Sequence, residues 1–185
     1  MNTFVIADPK RCIGCRTCEV ACFLAHSMGA GLQSMSAAHF IPRLTLIRTA
    51  KVSVPVQCHQ CEDAPCAKVC STGAIVFSAS SVQVNQERCV GCKNCMIACP
   101  FGAMEIVTVE RLERVGFGTG ERTVRMKKVE AQKCDLCITQ DEGPACVRVC
   151  LTKALRLVDQ KVMSVAMKSR QEDAAIEAVG MTTVS

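Results

Sequence analysis

Tryptophan and tyrosine are absent from the chain, and phenylalanine occurs only six times in 185 residues. A nucleic-acid surface built on stacked aromatics is thereby excluded, although the formal net charge is +5. No apolar run approaches the roughly 20 residues needed to cross a bilayer, so no membrane span is expected. The opening Met1-Asn2-Thr3-Phe4-Val5-Ile6-Ala7-Asp8 has no basic stretch leading into an apolar one. It predicts a short strand entering Asp8-Pro9 instead of an export signal, and the expected location is cytoplasmic, at a membrane only through partners. Radical-type C-x3-C-x2-C spacing is missing, as are flavin and nicotinamide fingerprints. Gly116-Phe117-Gly118-Thr119-Gly120 has no strand-to-helix setting and no phosphate-binding lysine after it, and predicts a hairpin tip between Val107 and Val129.

What the chain has in abundance is cysteine, 16 in all. A chain of this length has little apolar core, so something besides burial must stabilise it. Disulfides require an oxidising compartment, which the expected location does not supply, so the thiols are expected to be reduced or bound to metal. They fall into four groups: Cys12, Cys15, Cys18, Cys22; Cys58, Cys61, Cys66, Cys70; Cys89, Cys92, Cys95, Cys99; and Cys134, Cys137, Cys146, Cys150. Groups one and three share the run C-x2-C-x2-C-x3-C and its neighbours, Arg11-Cys12-Ile13-Gly14-Cys15 against Arg88-Cys89-Val90-Gly91-Cys92. Only group three keeps the final proline, Pro100.

Three cysteines at i, i+3 and i+6 let one tight loop wrap three corners of an iron–sulfur cubane, while the fourth lies a helical turn away. In the bacterial ferredoxin run that fourth cysteine ligates the other cluster of a pair. Gly14 and Gly91 are expected where backbone passes close to a cluster. Sixteen ligands then hold four [4Fe–4S] clusters. Each cluster with its thiolates carries about −2, which turns the formal charge into roughly −3 for the loaded protein. With no substrate motif beside these sites, the chain is expected to conduct electrons and not to catalyse.

Alanine recurs four residues after a fourth cysteine, in Ala74-Ile75, Ala103-Met104 and Ala154-Leu155, and each opens a short apolar stretch. The pattern predicts loop, short helix and strand in repetition, weakest after Cys22, where a Gly/Ser/Met-rich loop spans Ser27 to Ala38. Groups two and three lie close in the chain, joined by a predicted hairpin (Ile75 to Phe77, turn at Ala79-Ser80-Ser81, Val82 to Asn85), and form an inner two-cluster module. Groups one and four then pair across it. The expected ligand sets are Cys12, Cys15, Cys18 with Cys150; Cys134, Cys137, Cys146 with Cys22; Cys58, Cys61, Cys66 with Cys99; and Cys89, Cys92, Cys95 with Cys70. The fold class is α+β: tandem ferredoxin-like, two pseudo-symmetric two-cluster modules of short helices and small antiparallel hairpins, plus a C-terminal helix. Residues 1–57 and 100–160 form the outer module, 58–99 the inner, and 161–185 a helical tail, with its helix from about Val162 to Val179 ending at Gly180.

Paired C-x2-C runs also suit zinc ribbons, so a zinc-stabilised scaffold is the alternative, although tetrahedral zinc does not call for the repeated third and fourth cysteines. His59 is expected to face solvent, or else to donate to cluster sulfur. Arg16 and Lys93 occupy matching positions, either favouring the reduced cluster or ending in solvent. His26 and His39 carry no motif and are expected to be structural or on the surface.

On these residues the chain resembles the four-cluster ferredoxin-like subunits of formate hydrogenlyase and of hydrogen-dependent carbon dioxide reductase. The likeness runs through Asp159. It rests on the opening octapeptide, on Cys12-Ile13-Gly14-Cys15-Arg16-Thr17-Cys18-Glu19, on Cys61-Glu62-Asp63-Ala64-Pro65-Cys66, on Lys133-Cys134-Asp135-Leu136-Cys137, and on Gly143-Pro144-Ala145-Cys146-Val147-Arg148-Val149-Cys150. Ser71 and Leu151 depart from it, standing where proline commonly follows the fourth cysteine, and are expected to free an N–H near sulfur. The resemblance implies electron traffic between a formate dehydrogenase catalytic subunit and a hydrogenase subunit, directly or through a second four-cluster subunit. Another molybdenum oxidoreductase is the alternative partner. In filament-forming relatives C-terminal extensions join neighbouring units, which implies self-association through the C-terminal helix here.

Overall fold

The structure, a computed structural model, describes residues 2–27, 40–117 and 120–182. His39 and nearly all of the glycine- and serine-rich loop after Ser27, like the two residues at the tip of the long hairpin, lie outside the described residues. The elements in chain order are β1 (Phe4–Ala7), α1 (Thr17–His26), β2 (Leu44–Arg48), β3 (Ser53–Gln57), α2 (Pro65–Lys68), β4 (Ile75–Ser78), β5 (Ser81–Val84), α3 (Asn94–Ala98), β6 (Glu105–Phe117), β7 (Gly120–Gln132), α4 (Ala145–Arg148), β8 (Leu155–Val158) and α5 (Gln160–Thr182).

Every sheet among the described residues is an antiparallel pair: β1 with β8, β2 with β3, β4 with β5 and β6 with β7. Two-stranded ribbons are marginal in water, so these must be held by something between them. Their apolar faces meet in two buried clusters. One gathers Cys66, Ile75, Val82, Cys89, Cys95 and Met104; the other gathers Val5, Cys18, Cys22, Leu44, Cys134 and Leu155. Cysteine supplies eight of the buried side chains, so thiols occupy the places where a larger domain has leucine and phenylalanine.

The expected hairpin after Cys70 forms with Ser78 opposite Ser81, and its turn residues Ala79 and Ser80 both have positive φ (49° and 56°). That is the type of two-residue turn whose twist matches the strands it joins. Phe117 opposite Gly120 likewise makes the Gly116 to Gly120 run a hairpin tip. The N-terminal strand is present, and its partner is the strand that follows Cys150, with Phe4 opposite Val158. This pairing closes the first and last cysteine groups against one another.

The third and fourth cysteines of every group are four residues apart, the third near the start of a helix (α1, α2, α3 or α4) and the fourth just past its end, except Cys22, which lies within α1. Group spacing varies only before that point. Within each C-x2-C loop the third residue is left-handed, at Gly14 (φ 70°), Gln60 (52°), Gly91 (67°) and Leu136 (63°). A repeat that the sequence displays in two groups is therefore built in all four.

Crowding at the two glycines comes from neighbouring strands. A Cβ on Gly91 would lie 2.8 Å from the Val129 carbonyl oxygen of β7, and one on Gly14 would lie 2.5 Å from Ser53 Oγ of β3. Glycine is thus favoured by its φ, which Gln60 and Leu136 also adopt, and required by strand packing.

α5 differs from the expected tail helix at both ends. It starts earlier because Asp159 caps it, its Oδ1 accepting from Val162 N at 2.8 Å and its carbonyl from Met163 N at 3.0 Å. It also runs through Gly180 to Thr182, since one glycine costs a helix only about 1 kcal/mol.

Candidate metal centres

Three separate cavities each gather four cysteine sulfurs. Cys12, Cys15 and Cys18 share one with Cys150; Cys58, Cys61 and Cys66 share one with Cys99; Cys89, Cys92 and Cys95 share one with Cys70. The remaining four pack densely. Burial raises the Cys146 thiol, and its neighbours Cys134, Cys22 and Cys137 raise it further. The four places are called here the Cys12, Cys58, Cys89 and Cys134 sites. Neighbours among them are also defined. Cys18 shares one buried cluster with Cys22, Cys134 and Cys146, Cys58 and Cys150 pack against that cluster, and the Cys58 and Cys89 sites share the other.

Volume alone points elsewhere, because a groove of about 380 Å³ beside Pro42, Ile47 and Gln132 is lined by no cysteine. Donor chemistry decides against it. No carboxylate lines any of the three sulfur cavities, which rules out hard oxygen-seeking cations there. Backbone N–H groups point at sulfur instead: Ala74 to Cys70 at 3.2 Å, Ala154 to Cys150 at 3.2 Å, Ala103 to Cys99 at 3.4 Å and Arg43 to Cys22 at 3.3 Å. All three bonds to a fourth cysteine from the residue four places on come from the recurring alanine of the sequence, whose side chain is buried at Ala74 and Ala154. The N–H four residues on reaches back to the fourth cysteine, across a turn whose third residue after the cysteine is left-handed, at Gly73, Gly102 and Lys153.

Two of these sulfurs, Cys70 and Cys150, are predisposed to be thiolates. Burial alone would raise the Cys70 thiol, but the Thr72 hydroxyl and the N–H groups of Ile75 and Ala74 outweigh it and the net shift is downward. At Cys150 burial is likewise outweighed by the Leu155 N–H and the Thr152 hydroxyl. Thr72 and Thr152 add their hydroxyls to these N–H groups at the sulfurs of Cys70 and Cys150, and no bond to those sulfurs comes from Ser71 or Leu151. Deep thiols move the other way, with burial pushing Cys66 and Cys18 up to about 11 and Cys134 up to about 12. Metal binding must therefore expel protons from the interior, and the coordination energy is also folding energy. Clusters of four convergent thiols, amide donors and apolar walls fit an iron–sulfur cubane.

Comparison with known proteins agrees. Residues 82–105 match the family described as 4Fe-4S binding domain. Over 175 residues the chain is 46% identical to electron transport protein HydN of Escherichia coli K12, spanning 94% of this chain and 98% of that one. The chain belongs to the HydN family of iron–sulfur electron-transport proteins. It is also 43% identical over 188 residues to formate hydrogenlyase subunit 2 of the same organism, covering 93% and 89% of the two chains. A third E. coli relative, putative oxidoreductase AegA, is 44% identical over 171 residues, which is 92% of this chain but 24% of that protein. This HydN-family chain is an electron-transfer subunit and not a catalyst.

Around the cysteines the HydN-family chain carries polar groups with no sequence motif. Arg16 does not face a cluster alone, since its Nε pairs at 2.6 Å with Glu19, a buried carboxylate that also accepts from Leu46 N at 2.8 Å. His59 is exposed and stacks on Phe101, ring centroids 3.9 Å apart. Asp135 gathers Arg43, His26 and the Cys137 N–H. His26, Asp135 and Cys137 converge as metal ligands would, but the carboxylate is already committed to Arg43.

His26 bonds through both ring nitrogens, Nδ1 to the Cys22 carbonyl at 2.7 Å and Nε2 to Asp135 at 3.1 Å, so it donates twice as an imidazolium. Burial opposes that charge, but Asp135 and Cys22 overcome it and raise the pKa from 6.5 to about 9. A raised pKa stabilises fully below the unfolded value, and the gain is lost as pH climbs from 6.5 toward 9. Replacing His26 with glutamine is expected to cost about 1–3 kcal/mol below that window and almost nothing above it. Anaerobic thermal melts of both proteins across the window check this; parallel curves would refute it.

Proposed function

We propose that the chain carries four [4Fe–4S] clusters, one at each of the Cys12, Cys134, Cys58 and Cys89 sites, and relays single electrons between a formate dehydrogenase and a hydrogenase. Each cluster supplies one reversible electron-accepting centre when bound. The single observation that carries the reading is crossed convergence: three cysteines of one group meet the fourth of its partner group in three separate cavities. Such crossing supports the tandem arrangement, in which residues 58–99 hold the inner pair and residues 1–57 with 100–160 hold the outer pair.

On this reading the cysteine sets run in the order Cys12, Cys134, Cys58, Cys89, which the two buried clusters support. At the two ends, Cys15 and Cys92 are exposed, flanked by the exposed Ile13 and Val90. Partners can approach those sulfurs closely, whereas in the middle of the row Cys22, Cys66, Cys134, Cys137 and Cys146 are buried. Similarity to formate hydrogenlyase subunit 2 over most of both chains favours a formate hydrogenlyase-type complex. None of the described helices is long and apolar enough to cross a membrane, which is consistent with a cytoplasmic complex that meets a membrane only through partners.

Anaerobic purification followed by iron and sulfide analysis tests the reading. About four cubanes per chain are expected, in a brown protein bleached by dithionite, with at least some potentials near −400 mV. Far fewer cubanes, or a colourless protein holding zinc, would refute it. A second reading, service to a different oxidoreductase, is favoured by the match to one segment of AegA. Identifying the proteins that co-purify separates the two.

A further inference from the structure

Lys133 is 4% exposed, among the most buried charged residues described. Its Nζ donates to three acceptors: Cys134 O at 2.8 Å, Gln60 Oε1 at 3.3 Å and the Val82 carbonyl. Three acceptors match the three hydrogens of an ammonium. A neutral amine, with two hydrogens, would turn its lone pair toward one of the oxygens. The side chain is therefore held as a cation.

All three acceptors are uncharged. The half-buried cation Arg43 has an anion, Asp135, but no carboxylate is among the hydrogen-bond partners of Lys133. An unmatched buried charge costs several kcal/mol. The balancing charge must lie close by, and the thiols are what lie close by. Lys133 lines the Cys58 cavity and precedes Cys134 in the chain. Its charge favours the thiolates of Cys61, Cys66 and Cys134, members of both sites.

Gln60 fixes the arrangement. It is 1% exposed, its Oε1 accepts from Val82 N at 2.8 Å as well as from Lys133, and its Nε2 donates to Cys134 O at 2.8 Å. The amide is thus oriented with its oxygen toward the ammonium. It does this from a left-handed backbone position where two sibling loops use glycine. The cavities of the Cys12 and Cys89 sites are lined by Arg16 and Lys93, both exposed, and not by Lys133.

Resting on the four-site reading above, we propose that Lys133 is the fixed counter-ion shared by the Cys58 and Cys134 sites, raising the reduction potential of both and joining the two halves of the relay. Adding an electron makes a site more negative, and a positive charge clamped in a low-dielectric interior favours that state. An exposed arginine or lysine at the outer sites is screened by solvent and does so weakly.

The experiment is an EPR-monitored redox titration of the anaerobically purified holoprotein, its Lys133→Met and Lys133→Arg variants, and Gln60→Glu, which sets a carboxylate against the ammonium while keeping the lysine. Iron and sulfide analysis of the unmodified protein comes first, and a shortfall from four cubanes there would condemn the four-site reading itself. Given four, Lys133→Met and Gln60→Glu are expected to shift the same two potentials downward and leave two unmoved, with Lys133→Arg close to the unmodified protein. Should Lys133→Met lose iron, Gln60→Glu decides by the same criterion. Shifts in none, one or all four potentials, or an arginine variant that behaves like methionine, would overturn the counter-ion role.

Discussion

Serine in place of Cys99 is expected to empty or degrade the Cys58 site, removing about a quarter of the iron at most, while the Cys89 site stays intact. Chain proximity argues for the opposite result, because Cys99 follows Cys95 by four residues. Geometry overrides proximity here. α3 separates the two sulfurs, so Cys99 lines the cavity of Cys58, Cys61 and Cys66, and the vacancy in its own group is filled by Cys70. Iron analysis of double variants reads the assignment without spectral deconvolution. If Cys58 and Cys99 serve one site, the double serine variant loses little more iron than either single variant. Combining Cys99→Ser with Cys89→Ser strikes two sites, and the losses add to about half. Additive losses in the first pair, or non-additive losses in the second, would rule out crossed ligation.

The gathering of Cys99 with Cys58, Cys61 and Cys66, and of Cys70 with Cys89, Cys92 and Cys95, was expected from the ferredoxin run, whose fourth cysteine serves the other cluster of a pair, combined with loop lengths. The hairpin at Ile75 to Val84 was legible for a similar reason, two apolar runs around a compact turn. What the sequence concealed are the features set by tertiary approach. Gln60 and Leu136 hold the left-handed place of Gly14 and Gly91, yet neither residue type announces positive φ. Alignment of the four C-x2-C loops by their first cysteine would have exposed the equivalence.

The hairpin of β2 and β3 was not foreseen, although Leu44 to Arg48 is rich in strand formers, and Pro55 argues only against a central strand. In a two-stranded ribbon both strands are edges, so the proline is tolerated. Glu19, Lys133 and Asp135 were quoted as parts of motifs but given no role. Only burial reveals that each must find a partner, and burial is a property of the fold. A further reason for glycine beside the first and third groups was likewise hidden: Val129 and Ser53, residues distant in sequence, are what a side chain would strike.

Removal of residues 162–185 is expected to leave the iron content unchanged and to shrink the assembly seen in mass photometry or electron microscopy. α5 has 23 residues, an arm of about 35 Å. Its principal packing is against β8. Of residues 160 to 179 all are exposed except the half-buried Met163, and none carries a cysteine, so the sulfur sites do not depend on them. A helix packed back on its own domain would bury a face, and this one does not. Val162, Val165, Ile176 and Val179 are each at least half exposed. Together with Ser169 and Glu172 they recur at alternating steps of three and four, the spacing of a seam that a second helix fills. Single helices are marginal in water without such a partner. The proposed partner is another four-cluster subunit or a second copy of this chain. Val165→Asp with Ile176→Asp supplies a milder version, expected to weaken assembly through the seam while the rest of the chain is retained. A truncated protein that assembles as fully as the intact one, or that loses its iron, would end the case for α5 as a docking helix.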